Sequence, residues 1–141
     1  VLRGSDGSGP YITIAAGGVK MMDLVARYGD AWNWWTWDLD TQEGFASHLE
    51  EPIRNLVAAC EAIDRDPHSV VRNIDVYSVV PPGGDPGDSM DHPISGTAEQ
   101  IAATLLGFTE LGVSEVRVDL ADKTPGAIEA MAPVVELVHA G

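Results

Sequence analysis

The length, composition and charge of the chain limit the classes of protein to which it can belong. Its 141 residues suffice for one domain with a buried core, and its apolar content of 45% argues against intrinsic disorder. Eight basic residues against 22 acidic ones give a net charge of −14, which repels the phosphates of nucleic acids and anionic membranes. We therefore expect neither nucleic acid nor a membrane as a partner. The single cysteine, Cys60, rules out an internal disulfide and favours a cytoplasmic location.

The chain divides into a short leading segment and one domain. Residues 1–9, VLRGSDGSG, have a loop-like composition, and the first residue is Val1 rather than methionine. We therefore expect the chain to begin inside a longer protein. No repeat and no further change of composition divides residues 10–141, so the chain is interpreted as a single domain over residues 1–141.

The first part of the chain predicts two strands with a helix between them. Residues 11–16, YITIAA, are mostly β-branched or aromatic and predict a strand that ends in the Gly17–Gly18 turn. A helix is predicted over residues 19–28, and a second strand over residues 31–35. The helix is expected to bury an apolar stripe made of Met21, Leu24, Val25 and Tyr28.

A proline divides the helical region that comes next. A helix is predicted to begin at Thr41, but proline breaks a helix interior and is favourable in a first turn. We therefore expect a break near Glu50–Glu51 and a new helix from Pro52 to Asp64. The buried stripe of this helix is predicted to consist of Ile53, Leu56, Val57, Cys60 and Ile63.

Two further strands are predicted, over residues 70–80 and 115–120. A loop rich in proline, glycine and aspartate, at residues 81–93, follows the first of them. The helix between the strands begins with a capping box, in which Thr97 and Gln100 satisfy each other's backbone N–H groups. Its apolar stripe is Ile101, Leu105 and Phe108.

The last helix begins at Thr124–Pro125, and Pro133 is expected to kink it. Its inward residues are predicted to be Ile128, Met131, Val135 and Val138. Strands and helices therefore alternate along the whole chain. This order predicts an α/β fold with four parallel strands joined by right-handed crossovers.

Polar residues at alternate strand positions indicate which α/β architecture is present. They are Thr13, Asn33, Asn73, Asp75, Arg117 and Asp119. Alternation places them on one face of the sheet, whereas a sheet covered by helices on both faces has almost wholly apolar strands. We therefore predict half of a TIM-type β/α barrel whose polar interior includes an Asp75–Arg117 ion pair. A doubly wound nucleotide-binding sheet is the alternative.

Several segments carry a resemblance to a known family, in the same order along both chains. They are PYITIAAGG at 10–18, ARYGDAWN at 26–33, DRDP at 64–67, SGTAEQI at 95–101 and LGVSEV at 111–116. Together they resemble the luciferase-like monooxygenase family of flavin- and deazaflavin-dependent oxidoreductases. Ala31 and Asp64 depart from the family's pattern, because both stand where glycine is usual.

The resemblance covers only the second half of that family's barrel. It implies a cofactor, FMN or an 8-hydroxy-5-deazaflavin, bound at the carboxyl ends of the strands. It also implies that the missing N-terminal half of the barrel is a partner and holds much of the catalytic machinery. No catalytic residue is carried over to this chain. The parent protein is expected to be an oxidoreductase, and the isolated chain to be inactive.

The candidate site residues follow the predicted strands. By resemblance, the turn at Ala15, Ala16, Gly17 and Gly18 contacts the cofactor, where small residues and a helix N-terminus favour an anionic group. Gly96 and Thr97 form a second candidate contact, although helix capping alone explains Thr97. Trp32, Asn33 and Trp34 are candidates for the wall of a substrate pocket, although packing of the tryptophans is the alternative.

No metal site is predicted. Asp85, Asp88, Asp91 and His92 do not have the spacing of a calcium loop, and a solvated loop explains them. A second functional hypothesis is non-enzymatic, namely a half-barrel that binds small molecules or assembles with other chains. Open half-barrels expose sheet edges and apolar faces, so a homodimer through these surfaces is the partner that this hypothesis implies.

Overall fold

Four parallel strands form the sheet on which the helices pack. The computed structural model describes residues 9–35, 42–85 and 94–141, with only the backbone for residues 42–46. The strands are β1 (Thr13–Ala15), β2 (Ala31–Trp35), β3 (Val71–Val79) and β4 (Glu115–Leu120), in that order across the sheet. The predicted α/β class with four parallel strands is confirmed. Residues 1–8, Thr41 and residues 86–93, for which loops or a helix start were predicted, lie outside the described part of the chain.

The helices follow the strands in alternation. They are α1 (Val19–Tyr28), α2 (Gln42–Glu61), α3 (Ala98–Gly107), α4 (Pro125–Ala130) and α5 (Ala132–Ala140). Short 3-10 helices cover Pro67–Ser69 and Phe108–Leu111. The expected disturbance near Pro133 is a break at Met131, which places the proline in the first turn of α5, where its missing N–H has no helical partner to lose. No helix in the described residues is long and apolar enough to cross a membrane.

The two faces of the sheet differ in chemistry. Strand register places Asn33 beside Asn73 and Asp75 beside Arg117, so the predicted polar residues share one face. The opposite face carries the core residues Ile14, Trp32, Ile74, Val76 and Val116, which pack against the helices. On the polar face, 51% of the Arg117 side chain and 46% of the Asp119 side chain are exposed. In the described residues the helices therefore cover one face, and the doubly wound alternative is not supported.

The predicted break before Pro52 is wrong. Helix α2 continues through Pro52, although a proline in a helix interior costs about 3 kcal/mol. Leu49, Leu56 and Cys60 lie on both sides of this position and are each fully buried. Burying each such side chain contributes roughly 1.5–3 kcal/mol, so packing of the helix on the sheet offsets the lost hydrogen bond.

Two predicted apolar stripes are only partly buried. In α1 the buried residues are Met22, Val25 and Ala26, whereas the predicted Met21, Leu24 and Tyr28 are 42%, 41% and 65% exposed. In the last two helices Met131 and Val134 are buried, but Ile128 and Val135 are 61% and 48% exposed. Helix α1 and helices α4 and α5 follow the two end strands of the sheet, so neighbouring elements cover them incompletely. The predicted stripe of α3, by contrast, is buried at Ile101, Leu105 and Phe108.

The turn after α2 places Asp64 in a conformation that glycine usually adopts. The N–H of Asp64 donates to the carbonyl of Glu61 and that of Arg65 to the carbonyl of Cys60, as in a Schellman motif. Asp64 has φ 55°, the left-handed conformation for which glycine is preferred. Arg65 Nη1 then donates to the Ala26 carbonyl at 2.8 Å, which ties the turn to the end of α1.

Candidate functional site

The turn after β1 lies at the carboxyl edge of the sheet and is held by residues of β2. The Ala16 N–H donates to the Asn33 carbonyl at 3.4 Å, which extends the β1–β2 pairing by one residue. The Trp32 Nε1–H donates to the Ala16 carbonyl at 2.7 Å inside the core. The predicted cofactor turn and the predicted tryptophan wall are therefore in contact. Sequence reasoning identified both segments, and the structure brings them together.

Gly17 and Gly18 have different roles in this turn. A Cβ atom on Gly17 would overlap Trp34 Cη2, so the absence of a side chain there makes room for the indole ring. A Cβ atom on Gly18 would have no atom within 4 Å, and its φ of −87° suits any residue. The described chain thus requires glycine at position 17 for its own packing. It leaves open space at position 18.

The N-terminus of α1 faces this open space. Gly18 is the N-cap residue, and its carbonyl accepts the N–H groups of Met21 and Met22. No side chain of the described residues caps this helix end. The first N–H groups of an uncapped helix, together with the helix dipole, favour an anionic group. Lys20, in the first turn, is exposed and adds a positive charge nearby.

The tryptophans form a stack beside the turn. The ring centroids of Trp32 and Trp34 are 6.2 Å apart, and those of Trp34 and Trp35 are 4.4 Å apart. Trp32 is fully buried and serves packing, whereas Trp35 is 38% exposed. The Trp34 Nε1–H is buried and has no acceptor among the described residues. Trp37 lies outside the described residues.

The predicted contacts at Gly96 and Thr97 have a sufficient local explanation. The Thr97 hydroxyl accepts the Gln100 N–H, and the Gln100 side chain accepts the Thr97 N–H at 2.9 Å, so the predicted capping box is confirmed. Gly96 has φ 130°, and a Cβ atom there would lie 2.5 Å from Gln100 Oε1. These two residues follow β3, whereas the turn at Gly18 follows β1 two strands away.

A polar network lies on the open face of the sheet. The predicted ion pair is confirmed, with Arg117 Nε 3.0 Å from Asp75 Oδ1. Arg117 Nη2 donates to Asn73 Oδ1 at 2.7 Å, and Asn33 Nδ2 donates to the same oxygen. Asn33, predicted as part of a substrate wall, is 7% exposed and belongs to this network. Asn73 is 2% exposed and joins the two sides of the network, a role that its alternation with Asp75 indicated only in part.

Shifted pKa values occur at described residues outside the turn. Arg27 holds the pKa of Asp23 below its ordinary value on the surface of α1, and the Thr97 hydroxyl lowers the pKa of Glu99. Burial raises the pKa of the Cys60 thiol, which suits a core residue. The described residues contain no group of three or more potential metal ligands, and Asp88, Asp91 and His92 lie outside them. Among the described residues, the turn therefore combines an open helix N-terminus with an aromatic stack beside it.

Comparisons with known proteins agree on the fold. No family model matches the chain, and no curated protein matches it. Among solved structures it is similar to an F420-dependent secondary alcohol dehydrogenase bound to an F420–acetone adduct, with a TM-score of 0.69 and 15% identity over 93% of this chain. It is also similar to the coenzyme F420-dependent tetrahydromethanopterin reductase from Methanopyrus kandleri, with a TM-score of 0.62 and 10% identity over 91% of this chain.

A third solved structure shows how far this likeness reaches. The HMG-CoA lyase from Brucella melitensis matches 99% of the chain with a TM-score of 0.52 and 19% identity. The chain spans about half the length of all three proteins, at 49%, 50% and 46% of their chains. At these identities the likeness establishes the fold, four consecutive β/α units of the kind found in these larger proteins.

Proposed function

We propose that the chain is the carboxyl-terminal half of a luciferase-like oxidoreductase barrel that uses a deazaflavin, and that it supplies part of the cofactor-binding face. The observation that carries the proposal is the turn after β1. There, Gly18 leaves open space at a helix N-terminus that no side chain of the described residues caps, and the exposed Lys20 lies in the first turn of that helix. The similarity to two enzymes whose names include coenzyme F420 supports a deazaflavin over FMN.

The residues of the turn fit such a group. The first N–H groups of α1 would bind an acidic or phosphate oxygen, and Lys20 would add its charge. The exposed indole of Trp35, stacked on Trp34, would flank the apolar surface of the ring system. When bound, a deazaflavin accepts or donates a hydride, and the protein supplies its binding and orientation. Oxygen activation, as in a monooxygenase, remains a prediction of the sequence resemblance.

The cofactor proposal is tested by titrating the 141-residue chain with a deazaflavin and, separately, with FMN. All four tryptophans lie within residues 32–37, next to the turn, so their emission reports binding there. We expect the deazaflavin to quench this emission, and Gly18→Ala to weaken binding about tenfold, equivalent to 1.4 kcal/mol. Gly126→Ala is the matched control, because a Cβ atom at Gly126 also meets no atom within 4 Å. Equal affinities of the two variants would contradict a cofactor at Gly18.

A separate measurement tests the fragment proposal. We expect the 141-residue chain to show no turnover with a reduced deazaflavin or reduced FMN, because the described site contains no acid–base pair. Turnover by this chain alone would place catalytic residues within it and would refute the proposal of a half-barrel that needs its other half.

The alternative function, a half-barrel that acts in assembly, is favoured by a different observation. Apolar side chains are exposed at both free edges of the sheet, near β1 and near β4. A chain with this function would associate through those edges and would not respond to either cofactor.

A further inference from the structure

Among the described residues, the sheet has two unpaired edges, and their strands run in the same direction. β1 and β4 are its end strands, and all four strands run parallel. An unpaired edge exposes backbone N–H and C=O groups, and proteins usually cover or pair such edges. A strand that continues the parallel pattern beyond β4 has the same direction as β1, the strand at the opposite edge.

A groove over β4 shows that its helix layer is incomplete. The groove has a volume of about 500 Å³ and is bounded by β4, α3 and α5. Its lining is mostly apolar and includes Val116, Val118, Leu120, Leu105 and Val135. Val118 is 36% exposed although it lies on the face of the sheet that helices cover elsewhere. An apolar helix flank is the kind of surface that fits such a groove.

The β1–α1 unit carries a surface of that kind. Helix α1 exposes Met21, Leu24 and Tyr28, which are spaced three and four residues apart and so lie on one flank. Tyr11 and Ile12, just before β1, are 61% and 42% exposed. One end of the sheet therefore has an unpaired strand, β1, beside the apolar flank of α1. The other end has an unpaired strand, β4, beside the apolar groove.

We propose that two copies of this chain close into one barrel. The β4 edge and the groove of each copy bind the β1 edge and the α1 flank of the other. Two four-stranded sheets give eight strands, and the three similar solved proteins have about twice the length of this chain. The two interfaces are equal, so the dimer is closed and leaves no free edge. The polar network of Asn33, Asn73 and Arg117 becomes part of the barrel interior. This proposal goes beyond the proposed function, because it concerns what the 141-residue chain does without any other half.

The first test is the mass of the chain in solution. Sedimentation equilibrium at moderate salt, which screens the charge of −14 on each copy, should give twice the monomer mass of 15.0 kDa. A monomer at every accessible concentration would overturn the proposal. Open-ended assemblies larger than a dimer would overturn it too, because they mean that the interface does not close.

Two variants test the surfaces separately. Leu24→Lys alters the α1 flank and Val135→Lys alters the groove, and each lowers the net negative charge, so a weakened dimer cannot be attributed to added repulsion. We expect each variant to raise the dimer dissociation constant at least about tenfold, as for a central apolar contact. Ala58→Lys, on an exposed position of α2 in the middle of the chain, is the control and should dimerise like the original chain. Circular dichroism checks that all three fold.

Mixing the two variants gives the decisive result. In a mixed dimer both altered surfaces meet at one interface, and the other interface joins two unaltered surfaces. We therefore expect an equimolar mixture to dimerise more tightly than either variant alone, because one of its two interfaces is intact. A mixture that dimerises no more tightly than the single variants would refute the pairing of the α1 flank with the groove.

A further arm separates this proposal from the proposed function. If the 141-residue chain stays monomeric but forms a one-to-one complex with the first half of a luciferase-like barrel, its edges belong to that half and the second-copy proposal fails. The cofactor titration on the Gly18 variant is independent of that outcome, so the two proposals can fail separately.

Discussion

At the scale of single residues, the two glycines of the turn after β1 make opposite predictions. Gly17→Ala places a methyl group against the Trp34 ring, where a Cβ atom would overlap Cη2. We expect this substitution to lower the free energy of unfolding by about 1–3 kcal/mol, as overpacking does. Gly18→Ala is the control and should change it by less than about 0.5 kcal/mol. Urea unfolding followed by circular dichroism measures both, and equal losses would mean that Trp34 does not occupy its described position.

A substitution of Asp64, in the turn after α2, is expected to stabilise the protein, whereas Gly17→Ala is expected to destabilise it. Asp64 has φ 55°, and a side chain in the left-handed region costs about 1–2 kcal/mol for most residues. We expect Asp64→Gly to raise the free energy of unfolding by about 1 kcal/mol, since it removes the Cβ atom from that conformation. Asp64→Ala keeps the Cβ atom and should give no gain. Thermal unfolding of the original chain and the two variants measures the difference. A higher stability of Asp64→Ala would mean that the carboxylate, and not the left-handed backbone, destabilises the turn.

At the scale of elements, the start of α3 depends on one hydroxyl group. The Thr97 side chain accepts the Gln100 N–H, and the Thr97 N–H is satisfied in return. We expect Thr97→Ala to lower the free energy of unfolding by about 1 kcal/mol. Thr97→Ser keeps the capping hydroxyl and should lower it by much less. Cofactor binding should be equal in both variants if capping is the whole role of Thr97. A loss of affinity in the alanine variant alone would restore its predicted contact with the cofactor.

Local signals predicted the elements well where neighbours in the chain decide them. The bounds of α1, β2 and β4 were predicted correctly, because turn residues and caps adjoin them. The continuation of α2 through Pro52 was not predicted, because burial of α2 against the sheet outweighs the local preference of proline to end a helix. The side of α1 that is buried was likewise set by elements distant in the sequence, which periodicity does not reveal.

The candidate site was predictable to a similar extent. The small-residue turn at Gly17–Gly18 was visible as a pattern, but only the three-dimensional arrangement distinguishes the two glycines. The buried N–H of Trp34 and the link through Asn73 required side-chain geometry. No sequence pattern reports which indole lacks an acceptor.

At the scale of the whole molecule, charge opposes folding. A net charge of −14 on 141 residues produces self-repulsion that salt screens. We expect the urea concentration at the midpoint of unfolding to rise with added sodium chloride. The exposed ion pairs, Asp23–Arg27 and Asp119–Lys123, are weakened by the same salt, but they contribute little to stability because solvent already screens them. A midpoint that falls with salt would show that attraction between charges, and not repulsion, dominates this surface.

The order of the strands also governs how the backbone amides exchange with heavy water. Where β2 and β3 are in register with a strand on each side, the N–H groups that point left and those that point right both have partners. In β1 and β4 every second N–H points away from the sheet and should exchange orders of magnitude faster than the amide beside it. If the two edges are paired in a closed barrel, the alternation of fast and slow amide exchange should disappear from β1 and β4 together. Deuterium exchange along these two strands therefore reports whether the edges of the sheet are paired.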